Sequence, residues 1–204
     1  MTEPRANERL ESGDYFENET FTGLELAGVD LGGKEFFRCT FRSCVLRESR
    51  WRKSKLERCT FVGSDLSGAT FDQTGLRGVR FESTKLLGVD WGRIAPHPEL
   101  AFDDCKLRYA SFVGLALRKT SLLRCSATEA TFTDVDFTEA DFRGTDLAGS
   151  TFTGCTLTRT DFRDARGLFL DPARNRLRHT LVPVETAVAI AQHLGMDVDG
   201  YGNT

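Results

Sequence analysis

The sequence predicts an all-β fold: a quadrilateral parallel β-helix with a short C-terminal α-helix. Three observations carry that prediction. The first is a period of five. From Phe16 to Trp91 every fifth residue is Phe, Leu or Trp, sixteen times in succession. After a break the series resumes one residue out of phase at Phe102 and runs thirteen positions to Phe162, with Ala127 the one small member. A helix repeats its apolar face at spacings of three and four and a strand at two, so neither explains a period of five. The second observation is a companion slot. Two places before each large residue the side chain is usually small, as at Ser64, Ala69, Thr74, Ala110 and Val135. All six cysteines (Cys39, Cys44, Cys59, Cys105, Cys125 and Cys155) occupy this slot. Two places after the large residue Gly is frequent, as at Gly63, Gly68 and Gly144. One large and one small inward side chain, then a glycine-tolerant corner, describe a short extended edge and a turn. The third observation gives the number of edges. Phe21, Phe41, Phe61 and Phe81 stand twenty apart, as do Leu26, Leu46, Leu66 and Leu86. A coil of four edges stacks like on like, which favours aromatic ladders.

Taken in order, residues 1–13 form a polar N-terminal segment. It has no apolar stretch of signal-peptide length, which points to the cytoplasm. Residues 14–166 form the repeat body, about 7.5 coils and roughly 36 Å long at strand-like spacing. The stretch 92–101, GRIAPHPELA, interrupts the period. Pro96 and Pro98 cannot sit inside a paired ladder, so it reads as a loop projecting from the body. Residues 167–204 form the cap and tail. Within them LVPVETAVAIAQHLG (181–195) reads as a helix, with Pro183 in the first turn, Glu185 near the N-terminal end and Gly195 as the stop. Val184, Ala187, Val188, Ala191 and Leu194 line one face, and Ile190 makes the other side apolar too. One side can cap the coil and the other is left for a partner, most simply a second copy across a twofold axis.

Units such as SDLSG (64–68), ADFRG (140–144), TDLAG (145–149) and TDFRD (160–164) resemble the pentapeptide-repeat family, over about three quarters of the chain. That resemblance implies a right-handed coil. A repeat body followed by ETAVAIAQHLGMDV resembles, within the family, the MfpA/Qnr-type quinolone-resistance proteins. Those are C-terminally joined dimers, like a rod of DNA in size and charge, that bind type II topoisomerases. The resemblance implies a homodimer here, and a loop that bears on topoisomerase.

The residues themselves point away from catalysis. His97, His179 and His193 have no Cys, Asp or Ser at a catalytic or ligand spacing. The cysteines lack CxxC spacing and read as small inward residues, kept as thiols in a reducing compartment. No metal site, cofactor or small-molecule substrate is expected. No stretch reaches the roughly 18 apolar residues of a membrane span. Asp141 and Asp161 stack beside Arg143 and Arg163, which suits ion pairing rather than acid–base chemistry.

Charge distribution is the remaining signal, because the formal net charge is only −3. From Ser126 to Leu147, Glu129, Asp134, Asp136, Glu139, Asp141 and Asp146 face one Arg143, a net of −5. From Arg38 to Arg58, eight basic residues face two acidic ones, a net of +6, with Arg50, Arg52, Lys53, Lys55 and Arg58 around one corner. Joined through their helices, two copies would bring the acidic zones together as a DNA mimic for DNA gyrase or topoisomerase IV. Ile94, His97 and Glu99 in the break are candidate loop contacts. Direct DNA binding is not expected. The alternative is a scaffold that captures another protein through its basic corner.

Overall fold

Each five-residue unit forms one side of the coil, and each coil lies in register on the one twenty residues before it. A computed structural model describes residues 9, 10 and 12–201. On the first side, strands β1 (Tyr15–Glu17), β3 (Glu35–Phe37), β5 (Lys55–Glu57) and β7 (Gly75–Arg77) pair in parallel. On the second side, β2 (Thr20–Thr22), β4 (Thr40–Arg42), β6 (Thr60–Val62), β8 (Val79–Glu82), β9 (Leu100–Asp103) and β11 (Ser121–Leu123) form a six-stranded sheet. The fourth side holds β10 (Ser111–Val113), β12 (Thr131–Thr133) and β13 (Thr151–Thr153). The third side, under Leu26, Leu46, Leu66 and Leu86, is joined by single bridges such as Val45 to Asp65 and Asp65 to Lys85. The result is a parallel β-helix of about 7 turns.

The interior is the expected grid. Phe16, Phe41, Trp51, Phe61, Trp91, Phe112 and Phe137 are almost fully buried. Like stacks on like: Phe41 lies 4.7 Å from Phe61, Phe61 5.1 Å from Phe81, and Phe132 4.5 Å from Phe152, all nearly parallel. Rings on adjacent sides meet edge to face, as Phe16 does with Phe21, and so do rings on opposite sides, as Phe41 does with Trp51. Both geometries suit the aromatic quadrupole.

The corners fall two residues after each large side chain, in the left-handed region. Glycines such as Gly68 (φ 68°) take some of them, but nineteen non-glycine residues among those described also have positive φ. Arg38 (φ 53°), Lys53 (φ 60°) and Glu139 (φ 61°) are examples. Each costs on the order of 1–2 kcal/mol relative to an ordinary conformation. The wall repays this by giving the corner N–H an acceptor in the next coil, as Arg58 N–H has in the Arg77 carbonyl at 2.7 Å.

Four boundaries differ from the sequence reading. The break is not a projecting loop. Ile94 is 8% exposed and Pro98 and Leu100 are buried. Ala95 and Glu99 donate to the carbonyls of Thr74 and Leu76 at 2.9 Å, which ties the segment into the wall. Its effect is one extra residue, so Phe81 pairs with Phe102 at a spacing of 21. Proline is tolerated because the first side has no strand there. The body also continues past 166: Arg176 bridges Thr156 and Leu181 bridges Asp161, and Leu177 and Val182 pack on the core. The period runs through Gly167 and Pro172, which hid this last coil. The C-terminal helix is Val184–His193, shorter than 181–195, because Leu181 belongs to the wall. At the other end, residues 1–8 and 11 lie outside the described residues, but Leu10 is helical and fully buried against the first coil. The N-terminal segment therefore supplies an apolar plug despite its polar composition.

Candidate partner-binding surface

The acidic zone begins with turn chemistry. In Asp136, Asp141 and Asp146, the carboxylate Oδ1 accepts the backbone N–H two residues on, from Thr138 at 2.9 Å and from Arg143 and Ala148 at 3.1 Å. The same Asx turn recurs at Asp30, Asp65, Asp90 and Asp161. It explains why the position before the large residue favours Asp. Glu129, Asp134 and Glu139 are instead left-handed corner residues. Asp136, Asp141 and Asp146 open three successive sides, and the other three stand at three successive corners. The six acids therefore ring the coil rather than share one side.

Neighbouring coils supply cations that linear order conceals. Arg108 pairs with Glu129 at 2.5 Å and Arg118 with Asp136 at 2.6 Å. Glu139 takes Arg159 and, at 3.6 Å, Lys119. Arg143 holds Asp141 at 2.7 Å and reaches Asp161 at 3.9 Å, and Arg163 holds Asp161 at 2.7 Å. Among the described residues, Asp134 and Asp146 have no ion-pair partner. Burial pushes the Asp136 carboxyl up, but bonds from Thr138 and Arg118 outweigh it and hold it below its ordinary value. Hydrogen bonds from Arg159 lower Glu139, and those from Arg163 lower Asp161.

The basic corner is less compensated. Arg50 lies 3.6 Å from Asp30 and Lys55 2.6 Å from Glu35. Arg52, Lys53 and Arg58 are exposed and, among the described residues, have no ion-pair partner. Beyond them the break leaves a cleft of about 430 Å³ lined by Lys53, Lys55, Arg77 and His97. The structure thus brings His97 beside the basic corner. Of the candidate loop contacts, His97 and Glu99 are exposed, whereas Ile94 faces the core and is unavailable to a partner.

At the C-terminal end, Val184 is 61% and Leu194 56% exposed, and Ala187 is also exposed. Val188, Ile190 and Ala191 are half-buried, with Ile190 packed on the core. The buried helix residue is Thr186, whose hydroxyl donates to the Leu168 carbonyl at 3.2 Å. Phe169, Leu181, Met196 and Tyr201 extend the exposed apolar surface.

The small inward slot has a role that size alone did not reveal. Its hydroxyls and thiols donate to the carbonyl 23 residues earlier: Ser64 to Phe41 at 3.1 Å, Thr160 to Phe137 at 2.8 Å, and Cys39 to Phe16 at 3.4 Å. The alternation of Ser, Thr and Cys with Ala and Val was the available signal. All six cysteines are free. Contact with Cys39, then burial, raises the Cys59 thiol, and Cys105 does the same to Cys125. Among the described residues, no group of three or more His, Cys, Asp and Glu could hold a metal, and no helix is long and apolar enough to cross a membrane.

Comparison with known proteins follows this geometry. Residues 34–95 match a family profile described as a pentapeptide repeat region, and residues 130–166 match one of pentapeptide repeats in eight copies. No curated protein matches the sequence closely enough to be called a relative. Among solved structures, a trypsin-treated variant of QnrB1, a plasmid-mediated fluoroquinolone resistance protein, is 26% identical, with a TM-score of 0.52 over 92% of this chain and 91% of that one. Full-length QnrB1 is 25% identical with a TM-score of 0.49, over 89% and 90%. HetL of the cyanobacterium Nostoc, involved in heterocyst differentiation regulation, is 16% identical with a TM-score of 0.42, over 84% and 88%.

Proposed function

The chain belongs to the pentapeptide-repeat proteins, and on that premise we propose that it binds a type II topoisomerase, DNA gyrase or topoisomerase IV, and protects it from quinolone-type poisons without catalysing a reaction. One observation carries this: the 26% identity and TM-score of 0.52 to a fluoroquinolone resistance protein over nine tenths of both chains. The exposed apolar strip around Val184, Ala187 and Leu194 supports a homodimer through the C-terminal helix. In such a dimer the carboxylates of the last coils flank the junction, with Asp134 and Asp146 carrying uncompensated charge. The protein would act in the cytoplasm, where topoisomerases work.

The test is supercoiling and drug-induced cleavage by purified gyrase, with and without this protein. The expected result is a rise in the quinolone concentration needed for cleavage, or a loss of supercoiling. No effect on either at micromolar protein would sink the proposal. A second reading, capture of another protein by the basic corner, draws on the unpaired Arg52, Lys53 and Arg58. Charge reversal of Arg50, Arg52 and Lys53 separates the two: it abolishes capture under the second reading and leaves gyrase effects nearly intact under the first.

A further inference from the structure

The extra residue in the break leaves a defect in the wall. At the corner between the first and second sides, each corner N–H donates to the following coil. Asn18 donates to Phe37, Arg38 to Glu57, Arg58 to Arg77, Lys119 to Thr138, Glu139 to Thr158 and Arg159 to Arg178, at 2.7–2.9 Å. Gly78 stands at the same corner, and among the described residues its N–H has no hydrogen-bond partner. The added residue shifts the pairing: Val79 N–H takes the Glu99 carbonyl at 3.0 Å instead.

That amide belongs to a cleft of about 430 Å³, which Arg58, Arg80, Arg118 and Lys119 line with Glu99 as the one acid. Arg58 and Arg80 are exposed, and among the described residues their guanidinium groups have no ion-pair or hydrogen-bond partner. Arg118 and Lys119 reach Asp136 and Glu139 from the far side, at 2.6 and 3.6 Å. The Arg58 stem lies against Gly78, where a Cβ would stand 3.6 Å from the Arg58 Cγ. A backbone donor with no acceptor, two uncommitted guanidinium forks and two further, ion-paired cations line this one cleft. Backbone N–H groups and arginine forks are the donors that bind phosphate oxygens.

We propose that this cleft is an oxyanion site that takes a phosphate group. A terminal phosphate offers more acceptor oxygens than a carboxylate and carries up to twice the charge, which matches the number of donors and the net positive rim, whereas a backbone diester, with one charge per group, would satisfy them with successive groups. The group can come from a small phosphate or from the diester backbone of a single nucleic-acid strand. The site does not rest on the topoisomerase reading, because its donors are Gly78, Arg58 and Arg80, although Glu99 lines the cleft and Arg118 and Lys119 pair with Asp136 and Glu139.

The test is a ¹⁵N–¹H titration of the full chain with inorganic pyrophosphate and, separately, with a short oligothymidylate. The expected result is a saturable shift of the Gly78 amide with at least one of them. Pyrophosphate alone identifies a small-phosphate site, and tighter binding of the oligonucleotide identifies the backbone diester. The Arg58→Gln, Arg80→Gln double variant alters no paired side chain. It should keep the wild-type melting temperature and weaken binding roughly tenfold or more. A Gly78 resonance unmoved by both probes overturns the proposal. So does equal binding by the double variant, which would mean general attraction to a basic surface.

Discussion

Trp91 offers a test of how the inward slot works. Its indole Nε1 is buried with no hydrogen-bond partner, alone in this among the described side-chain nitrogens and oxygens. Trp51 stands two coils earlier in the same column, and its Nε1 donates to the Ser49 hydroxyl at 2.8 Å. Phe71 lies between them, with interplanar angles of 17° to Trp51 and 10° to Trp91, so the three rings share one tilt. What differs is the slot two residues back, where Trp91 has the fully buried Val89. The substitution Val89→Thr is nearly isosteric. The new hydroxyl can accept from the indole and donate to the Leu66 carbonyl, as Thr84 does to Phe61 at 3.1 Å. Relieving an orphaned buried donor gains about 1–3 kcal/mol. Exchanging a buried methyl for a hydroxyl loses about 1 kcal/mol of apolar burial, and the hydroxyl's own bonds offset its desolvation. The expected net is a stabilisation of about 1 kcal/mol, or roughly 2–4 °C in Tm for a chain of this size. Urea and thermal unfolding measure it. Val135→Thr is the control: it makes the same exchange in the same slot, below Phe137, with no indole to satisfy. If V89T is no more stable relative to wild type than V135T, the orphaned indole does not explain the difference.

Three further outcomes follow from the structure. Gly167 has φ +64°, and a Cβ there would lie 2.6 Å from the Ala148 Cα, so Gly167→Ala should cost about 2–4 kcal/mol by urea unfolding; a change under ~1 kcal/mol would refute the close approach. Asp136, Glu139 and Asp161 have depressed folded values, so their stabilisation is full above the ordinary carboxylate values of 3.8 and 4.5 and is lost as pH falls through the lower folded ones. A Tm that stays flat between neutral pH and pH 3 would contradict those pairings. If the proposed dimer forms, Val184→Glu with Leu194→Glu should convert it to a monomer in sedimentation without lowering Tm by more than a few degrees, because both side chains are exposed in the single chain. A monomeric wild type would remove the dimer from the proposed function.

The grid was legible because it is local. A large residue every five places and a glycine two later appear directly in the linear order, and Phe21 to Phe81 announces the twenty-residue coil. What stayed hidden depends on contacts between coils. Arg118 and Asp136, or Arg108 and Glu129, meet across 18 and 21 residues, so a local count assigned the acidic stretch more uncompensated charge than it carries. The Asp of each unit faces outward as its preference for turns predicts, and its Oδ1 closes the turn. Pro96 and Pro98 suggested a loop leaving the body, but one inserted residue lets Pro98 point inward while Ala95 and Glu99 keep their ladder bonds. Leu10 was a lone apolar residue in a charged context, and only the open end of the first coil explains its burial.

The four-sided coil also turns chain length into an angle. Inserting or deleting one five-residue unit would leave every interior position filled, yet it would rotate everything downstream by a quarter turn. A twenty-residue change would instead slide the downstream surface along the axis by one strand spacing, about 4.8 Å, without rotating it. The single extra residue at the break does neither: Phe81 and Phe102 remain one above the other, so the basic and acidic halves keep their relative bearing. In this architecture the direction in which a binding surface points is set by counting residues, and small length changes between descendants of one ancestor would redirect their surfaces before they disturbed the core.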